Sequence, residues 1–433
     1  MTILALEHTA DGKPWRVMSM HKRKSSVFLF LVCTGLAWSV CLNSMTEEMN
    51  STRLGVGILL AMVASGLFFR LRWIFLREAK IYLVLVAIMA LSLLWAPDPR
   101  LGLNSVSPAI CSLLLLIAIP SALHWGGFRP VIAGFAAGCV AGLVTHFTMY
   151  QFPLVLLNND EQSYNAVALI FSFCLWMVLF WGVLGGRWWL VLPVVCWCLL
   201  GVLITASKKT NFGIALGVIA WIIVSLDPRR RRPKSASYQS KPSRRSVVLS
   251  IICAMATCIW LFAGERGEYF WEEIQNSFIH FDIGARAVQA NMETPGVDVP
   301  GYGGRLRIEW IVSAWTGVWD APILGHGAEA FRAQEGITGH SALADIPFNH
   351  GLLGLVLCIA VLASLGLRAF DWRMPHTKLL RGIVIAGTTM YAFASLTGNI
   401  YYLPVCAMFV GTSSGLLGEL AGPHMRARRS HPQ

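Results

Sequence analysis

The segment Tyr164-Asn-Ala-Val-Ala-Leu-Ile-Phe-Ser-Phe-Cys-Leu-Trp-Met-Val-Leu-Phe-Trp-Gly-Val-Leu184 contains no charged side chain along its whole length. A helix rises about 1.5 Å per residue, so about 20 apolar residues cross the roughly 30 Å hydrocarbon core of a bilayer. Lipid offers no hydrogen-bonding partner to a bare backbone, so such a segment has to be helical. This stretch therefore predicts one membrane-spanning helix.

Similar apolar blocks recur on both sides of this segment. The predicted spans are 25–43, 54–69, 81–96, 106–124, 130–149, 164–184, 187–205, 210–226, 246–264, 349–370, 378–397 and 401–419. Only 13% of the 433 residues are charged and 55% are hydrophobic, whereas a soluble domain carries about 25% charged residues. We expect an all-α integral membrane protein of about twelve transmembrane helices.

Basic residues lie mainly in alternate connections between the predicted spans. The strongest run is Arg229 to Arg232, inside a basic segment over 227–245. Because lysine and arginine concentrate in cytoplasmic loops, this asymmetry puts both termini on the cytoplasmic side. The net charge of +12 comes from short runs between apolar blocks. That arrangement is typical of contact with anionic membrane lipids rather than with nucleic acid.

The expected organisation follows from these spans. It comprises a cytoplasmic tail over 1–24, helices 1–9 over 25–264 with the basic cytoplasmic loop 227–245, an outside loop over 265–348, helices 10–12 over 349–420, and a cytoplasmic tail over 421–433. A loop as long as 265–348 is usually functional. Tryptophan and isoleucine recur at helical spacing over 305–319, which predicts an amphipathic helix on the membrane surface, and 267–281 suggests a second. The eleven cysteines fall in or beside apolar blocks without CxxC or zinc-like spacing, so they are expected to pack in the core.

Cations in unusual positions are the first candidates for chemistry. Lys208 and Lys209 adjoin on the outer side, between predicted spans 7 and 8. They either extend their charges to the membrane surface or meet an anionic ligand. Arg305 either forms a salt bridge with Glu309 one helical turn on, or donates to a phosphate through its forked guanidinium. Arg307 is a weaker candidate of the same kind.

Three histidines are candidates for accepting a proton. Histidine changes its charge near neutral pH, which suits it to deprotonate a hydroxyl nucleophile. His340 is the strongest candidate, His350 competes with it, and His326 in Gly325-His326-Gly327 is interpreted as a structural turn residue. The carboxylates of the loop show no telling pairing. No phosphate-binding, zinc-protease or calcium-binding motif is present in the sequence.

Several motifs together resemble the O-antigen ligase and polymerase superfamily of bacterial membrane glycosyltransferases. They are Trp95-Ala-Pro-Asp-Pro99 ending span 3, Gly304-Arg305 to Trp310, Pro322-Ile-Leu-Gly-His-Gly327 with Phe331, His340-Ser341, and Gly351-Leu-Leu-Gly354. The family often has Ser-Arg where this chain has Ser207-Lys208-Lys209, and asparagine where it has Ser341. The similarity covers the whole topology, and the detailed motifs fall mostly between 200 and 355.

The resemblance implies a bacterial inner-membrane enzyme whose catalytic loop, 265–348, faces the periplasm. Its donor would be an undecaprenyl-diphosphate-linked glycan and its acceptor lipid A–core or another carrier-linked glycan, without metal or cofactor. Lys208, Lys209 and Arg305 would bind the diphosphate, and His340 would orient or deprotonate the acceptor hydroxyl. A polymerase of the same fold is the nearest alternative. A lipid-linked-sugar transporter and a non-catalytic assembly partner are others.

Overall fold

The computed structural model describes residues 20–45, 56–61, 77–150, 164–204, 208–226, 311–335, 341–371, 378–396 and 404–429. All regular structure in these ranges is helical, which confirms the all-α prediction for them. The helices are α1 (Met20–Met45), α2 (56–61), α3 (Arg77–Leu91) followed by a 3-10 turn (Ser92–Leu94), α4 (Pro99–Gly126), α5 (Phe128–Tyr150), α6 (Tyr164–Val183), α7 (Trp188–Ile204), α8 (Lys208–Leu226), α9 (311–318), α10 (Ala330–Glu335), α11 (Ala342–Asp371), α12 (Lys378–Leu396) and α13 (Pro404–Arg429).

The described helices have the character of membrane helices. Within the described residues, four stretches are long and apolar enough to cross a bilayer: Pro99–His124, Phe128–Thr145, Ala342–Phe370 and Leu379–Leu396. Shorter apolar stretches of α1, α6, α7, α8 and α13 accompany them. Predicted span 246–264, most of span 54–69, the basic loop 227–245 and the predicted helix 267–281 lie outside the described residues. The count of twelve spans and the orientation stay predictions.

The charge-free helix α6 lies at the centre of the bundle. Its residues 167–180 are buried except for Leu179, which is half-buried. The helix packs against α5 and α7, and also meets α1, α8, α12 and α13. A helix that is apolar on every face has no side suited to water. Neighbours on all sides of α6 satisfy that requirement.

The Trp-Ala-Pro-Asp-Pro segment connects α3 to α4 and sets the first turn of α4. The carboxylate of Asp98 accepts hydrogen bonds from the backbone N–H groups of Arg100 (2.9 Å) and Leu101 (3.1 Å). Pro99 occupies the first helical position, where its missing N–H removes no helical hydrogen bond. Asp98 is therefore the N-cap of α4.

We expect Asp98→Ala to lower the free energy of unfolding by about 1 kcal/mol, because two helix-terminal N–H groups lose their acceptor. Thermal unfolding of the purified protein in detergent, followed by circular dichroism, measures the change. Asp98→Asn is the control, since an asparagine oxygen caps as well as aspartate does. Equal losses in the two variants would contradict the capping role.

A buried ion pair joins α3, α11 and α13. One carboxylate oxygen of Glu78 accepts from Arg368 Nη1 (2.7 Å) and from Ser414 Oγ (2.6 Å), and the other accepts from Ser364 Oγ (3.0 Å). The side chain of Glu78 is 1% exposed and that of Arg368 is 28% exposed. Arg368 lies near the end of α11, within the predicted span 349–370, and its Nη1 donates to Glu78 of α3 and to Ser414 Oγ of α13 (3.0 Å).

Helix α11 differs from its prediction in two ways. It begins at Ala342, capped by Ser341, whose Oγ accepts from the N–H of Leu343 (3.2 Å), whereas the apolar pattern begins near 349. Asp345 and Pro347 lower the hydropathy of the first turns of α11, so the apolar pattern does not include those turns in the predicted span. The helix also breaks at Gly351, where φ is 68° and ψ is −178°.

The described part of the helix predicted over 305–319 is helical, as α9 (311–318), and its placement on the membrane surface stays a prediction. Its Ala314 and Val318 are buried, whereas Val312 and Thr316 are exposed. This spacing of four residues is that of an amphipathic helix. The buried side of α9 packs with Phe331 and Phe348 in a small cluster separate from the main core.

Candidate functional site

The break in α11 leaves backbone groups that another segment bonds. In an unbroken helix the N–H of Leu352 would donate to the carbonyl of Phe348. Here it donates to the carbonyl of Pro322 (2.8 Å), and the Phe348 carbonyl accepts from the N–H of His326 (2.9 Å). The N–H of Gly327 donates to the carbonyl of Asn349 (3.0 Å). The Pro-x-x-Gly-x-Gly turn thus replaces the hydrogen bonds that the break removes.

Glycine is required on both sides of this junction. Gly325 and Gly351 have φ of 70° and 68°. Residues other than glycine rarely adopt backbone conformations in this region. A Cβ on Gly325 would overlap the backbone of Asn349, and one on Gly351 would overlap the carbonyl of Ile323. The two chains approach too closely for any side chain at these positions.

The end of the Trp-Ala-Pro-Asp-Pro segment completes the junction. Trp95 Nε1 donates to the carbonyl of Gly325 (3.2 Å), and Gly327 packs directly on the backbone of Ala96. We call the assembly of residues 95–99, 322–327 and 348–352 the clamp. Three motifs on which the family resemblance rests, far apart in sequence, therefore meet in one structural unit.

His326 is a structural member of the clamp. Its Nε2 lies 2.8 Å from the carbonyl of Gly317, and its ring lies over that of Phe348 with centroids 4.5 Å apart. Beside it, the N–H of Phe331 donates to Oδ1 of Asn349 (2.9 Å). These contacts fix α9 and α10 on the first half of α11.

His350 is enclosed in the bundle. It is 1% exposed, and its Nδ1 lies 3.3 Å from the hydroxyl of Ser92, which itself donates to the carbonyl of Met89 (2.7 Å). Nε2 makes no hydrogen bond within the described residues. The ring is therefore closed to solvent in the described conformation, and the choice between His340 and His350 stays a prediction.

Two of the four predicted site residues, Arg305 and His340, lie outside the described residues, as does Arg307. The structure does describe Ser341, which follows His340 in sequence. The Ser341 hydroxyl donates to the carbonyl of Leu396 at the end of α12 (2.6 Å). Where the family often has asparagine, this serine both caps α11 and ties it to α12.

Lys208 and Lys209 form the first turn of α8 rather than a loop. Helix α8 packs on α12, with Gly213 facing Met390 and Gly217 facing Ala386. This antiparallel register puts the start of α8 level with the last turn of α12, which ends at Leu396. The lysine pair and the residue after His340 thus belong to the same end of the bundle.

A pair of carboxylates that sequence reasoning missed lies beside the clamp. Glu329 is half-buried and Asp345 is buried. Burial and then the nearby charge of Asp345 raise the pKa of Glu329, opposed by Arg332 and by a hydrogen bond with Ser105. Ser105 lies on α4, Asp345 on α11, Arg332 on α10 and Glu329 in the turn before α10, so no local sequence pattern could have paired the two carboxylates.

The comparisons with known proteins add no relative. No protein-family model matches the chain, and no curated protein matches it. Within the described residues, no group of three or more histidine, cysteine, aspartate or glutamate side chains is placed to hold a metal ion. The fold and the clamp define the chain as a helical membrane protein with a broken helix bonded by a separate glycine-containing turn.

Proposed function

We propose that this chain is an O-antigen ligase-type glycosyltransferase. It transfers a glycan from undecaprenyl diphosphate to lipid A–core on the periplasmic side of the bacterial inner membrane, with inversion at the anomeric carbon and without a metal. The observation that carries the proposal is the shared position of the lysine pair and Ser341 at one end of the bundle. Transfer requires the cations that bind the donor diphosphate and the residue that serves the acceptor to lie at the same end of the bundle, and Ser341 directly follows His340.

The donor diphosphate binds at the start of α8. A helix N-terminus carries a partial positive charge and free N–H groups, which favour an anion. Two lysines in that turn repel this partial charge unless an anionic ligand is present. Lys208 and Lys209, together with Arg305, neutralise the diphosphate and stabilise the charge that grows on it as it departs.

His340 serves the acceptor. The acceptor oxygen forms a bond to the anomeric carbon while the bond from that carbon to the diphosphate oxygen breaks. The electron pair leaves with the diphosphate, and the acceptor hydroxyl loses its proton. His340 orients this hydroxyl or takes the proton.

The polymerase alternative shares the donor and the leaving group, and differs in the acceptor. The broken helix α11 is the observation that favours a transporter of lipid-linked sugar, because transporters bind substrates at interrupted helices. In this chain the groups freed by the break are bonded by residues 322–327. They are not left open for a substrate, which favours the transferase.

Transfer in a purified system tests the proposal. The protein is incubated with undecaprenyl-diphosphate-linked glycan and lipid A–core, without ATP or added metal. We expect glycan on lipid A–core, and a loss of about 100-fold in Arg305→Ala and His340→Ala, because a charge-stabilising group and a group that orients or deprotonates the acceptor hydroxyl are removed. Arg100→Ala, an exposed arginine on α4, is the matched control and should retain activity.

The products separate the alternatives. Elongated carrier-linked glycan in place of modified lipid A–core would identify a polymerase. Absence of either product with several matched substrates would reject the transferase and favour transport, which is measured by movement of the lipid-linked glycan across vesicles. Full activity in both variants would reject the assigned roles of Arg305 and His340.

A further inference from the structure

Glu329 holds an unusual backbone conformation. Its φ is 56°, and within the described residues it is the one residue other than glycine with a positive φ. Glycine would adopt this conformation without strain. Strained residues of this kind concentrate at functional sites, where a side chain is needed in a position that the backbone does not favour.

The surroundings of the Glu329 carboxyl do not favour its charge. The side chain is half-buried beside the buried Asp345 of α11. The charged groups that face it are Asp345 and, from its own segment, Arg332, while α4 contributes the hydroxyl of Ser105. Burial and the like charge of Asp345 outweigh the opposing effects of Arg332 and Ser105, so the ionised carboxylate on balance weakens folding. Both effects raise the pKa of Glu329, which makes its carboxylate a stronger base than that of an exposed glutamate.

The position of Glu329 relates it to the proposed transfer site. It follows the clamp by two residues, and the preceding Ala328 packs on Gly102 of α4. Asp345 lies one turn into α11, where its N–H donates to the carbonyl of Ser341 (2.9 Å). Glu329 therefore stands near the helical turn that begins directly after His340.

We propose that Glu329 is the residue that takes the proton from the acceptor hydroxyl, an assignment that rests on the proposed glycosyl transfer. The acceptor oxygen bonds to the anomeric carbon, and the bond from that carbon to the diphosphate breaks with its electron pair leaving on the diphosphate. The acceptor proton passes to a carboxylate oxygen of Glu329 and then to solvent. Asp345 raises and Arg332 lowers the proton affinity of this carboxylate.

The dependence of kcat/KM on pH tests this assignment in the purified transfer assay. Wild type should lose activity at low pH as Glu329 becomes protonated. Glu329→Gln should be about 100-fold less active at the optimum and lack this acid limb. Asp345→Asn removes the like charge and should move the limb to lower pH, whereas Arg332→Gln removes an opposite charge and should move it to higher pH. Glu335→Gln, an exposed glutamate of α10, should match wild type.

A stability measurement supplies a readout apart from activity. A carboxyl whose pKa is raised by folding destabilises the protein at pH values above its unfolded pKa, and the penalty disappears as the pH falls below that value. Glu329→Gln should therefore raise the Tm at pH 8 and lose this gain near pH 4. Such a variant, stabilised but inactive, would support a functional rather than structural carboxyl.

The outcomes distinguish this assignment from the proposed function. An active wild type with Glu329→Gln within threefold of it, or an acid limb that neither Asp345→Asn nor Arg332→Gln moves, would overturn the role of Glu329 alone. Arg332 is exposed, so its variant tests the shift even if Asp345→Asn does not fold. A folded wild type that transfers no glycan to any acceptor would overturn the proposed function and the role of Glu329 with it.

Discussion

Gly351→Ala will lower the free energy of unfolding by about 4 kcal/mol or more, because two costs coincide at this residue. Its φ of 68° and ψ of −178° belong to a region that is essentially restricted to glycine. A Cβ there would also overlap the carbonyl of Ile323. Relief requires residues 322–327 to move away from α11, which breaks the hydrogen bonds of Leu352, His326 and Gly327 across the clamp.

Thermal unfolding in detergent, followed by circular dichroism, measures this effect. Gly366→Ala is the matched control, since Gly366 lies in the same helix and its added Cβ would meet only Thr388 Cγ2 at 3.7 Å. In a regular helix that replacement should be neutral or stabilise by up to about 1 kcal/mol. Similar Tm values for the two variants would show that the clamp does not depend on glycine at 351.

Apolar periodicity predicts the regular helices well. Spans predicted at 164–184, 187–205 and 378–397 correspond to helices Tyr164–Val183, Trp188–Ile204 and Lys378–Leu396. In these segments burial, length and helix formation all follow from the same run of apolar side chains. The bounds of these three helices therefore agree with the bounds of the apolar runs to within a few residues.

The clamp was only partly predictable. The motifs that form it were recognisable, and Gly325-His326-Gly327 was correctly interpreted as a turn. The break at Gly351 was not predicted, because the apolar pattern begins only near 349 and a hydropathy pattern does not register a single φ angle. The pairing of Glu329 with Asp345 was missed for a related reason, since it depends on how separate segments pack.

The hydrogen-bonded network around Glu78 was likewise not predictable from the sequence, because it depends on how separate helices pack. Glu78 and Arg368 are separated by 290 positions, and each lies near the end of an apolar block. From sequence alone they belong to the solvated charges that flank membrane helices. Only the packing of α3 against α11 reveals that they neutralise one another.

Glu78→Leu should lower the free energy of unfolding by about 3–5 kcal/mol, because it removes one partner of a buried ion pair. Arg368 would keep its charge without a counterion, and the hydroxyls of Ser364 and Ser414 would lose their acceptor. Unfolding in mixed detergent micelles, at pH 7 and fixed ionic strength, gives the difference. Lys80→Leu replaces an exposed cation two residues further along α3 and should change stability by less than about 0.5 kcal/mol.

The double variant Glu78→Leu with Arg368→Leu separates two quantities. One is the net contribution of the ion pair to the free energy of unfolding, and the other is the cost of leaving one charge without its partner. Replacing both partners of a buried pair with apolar side chains is often neutral or stabilising. We therefore expect the double variant to recover most of the stability that Glu78→Leu loses. If its loss instead equals the sum of the two single losses, the residues do not interact, and the contact between α3 and α11 would have to depend on apolar packing alone.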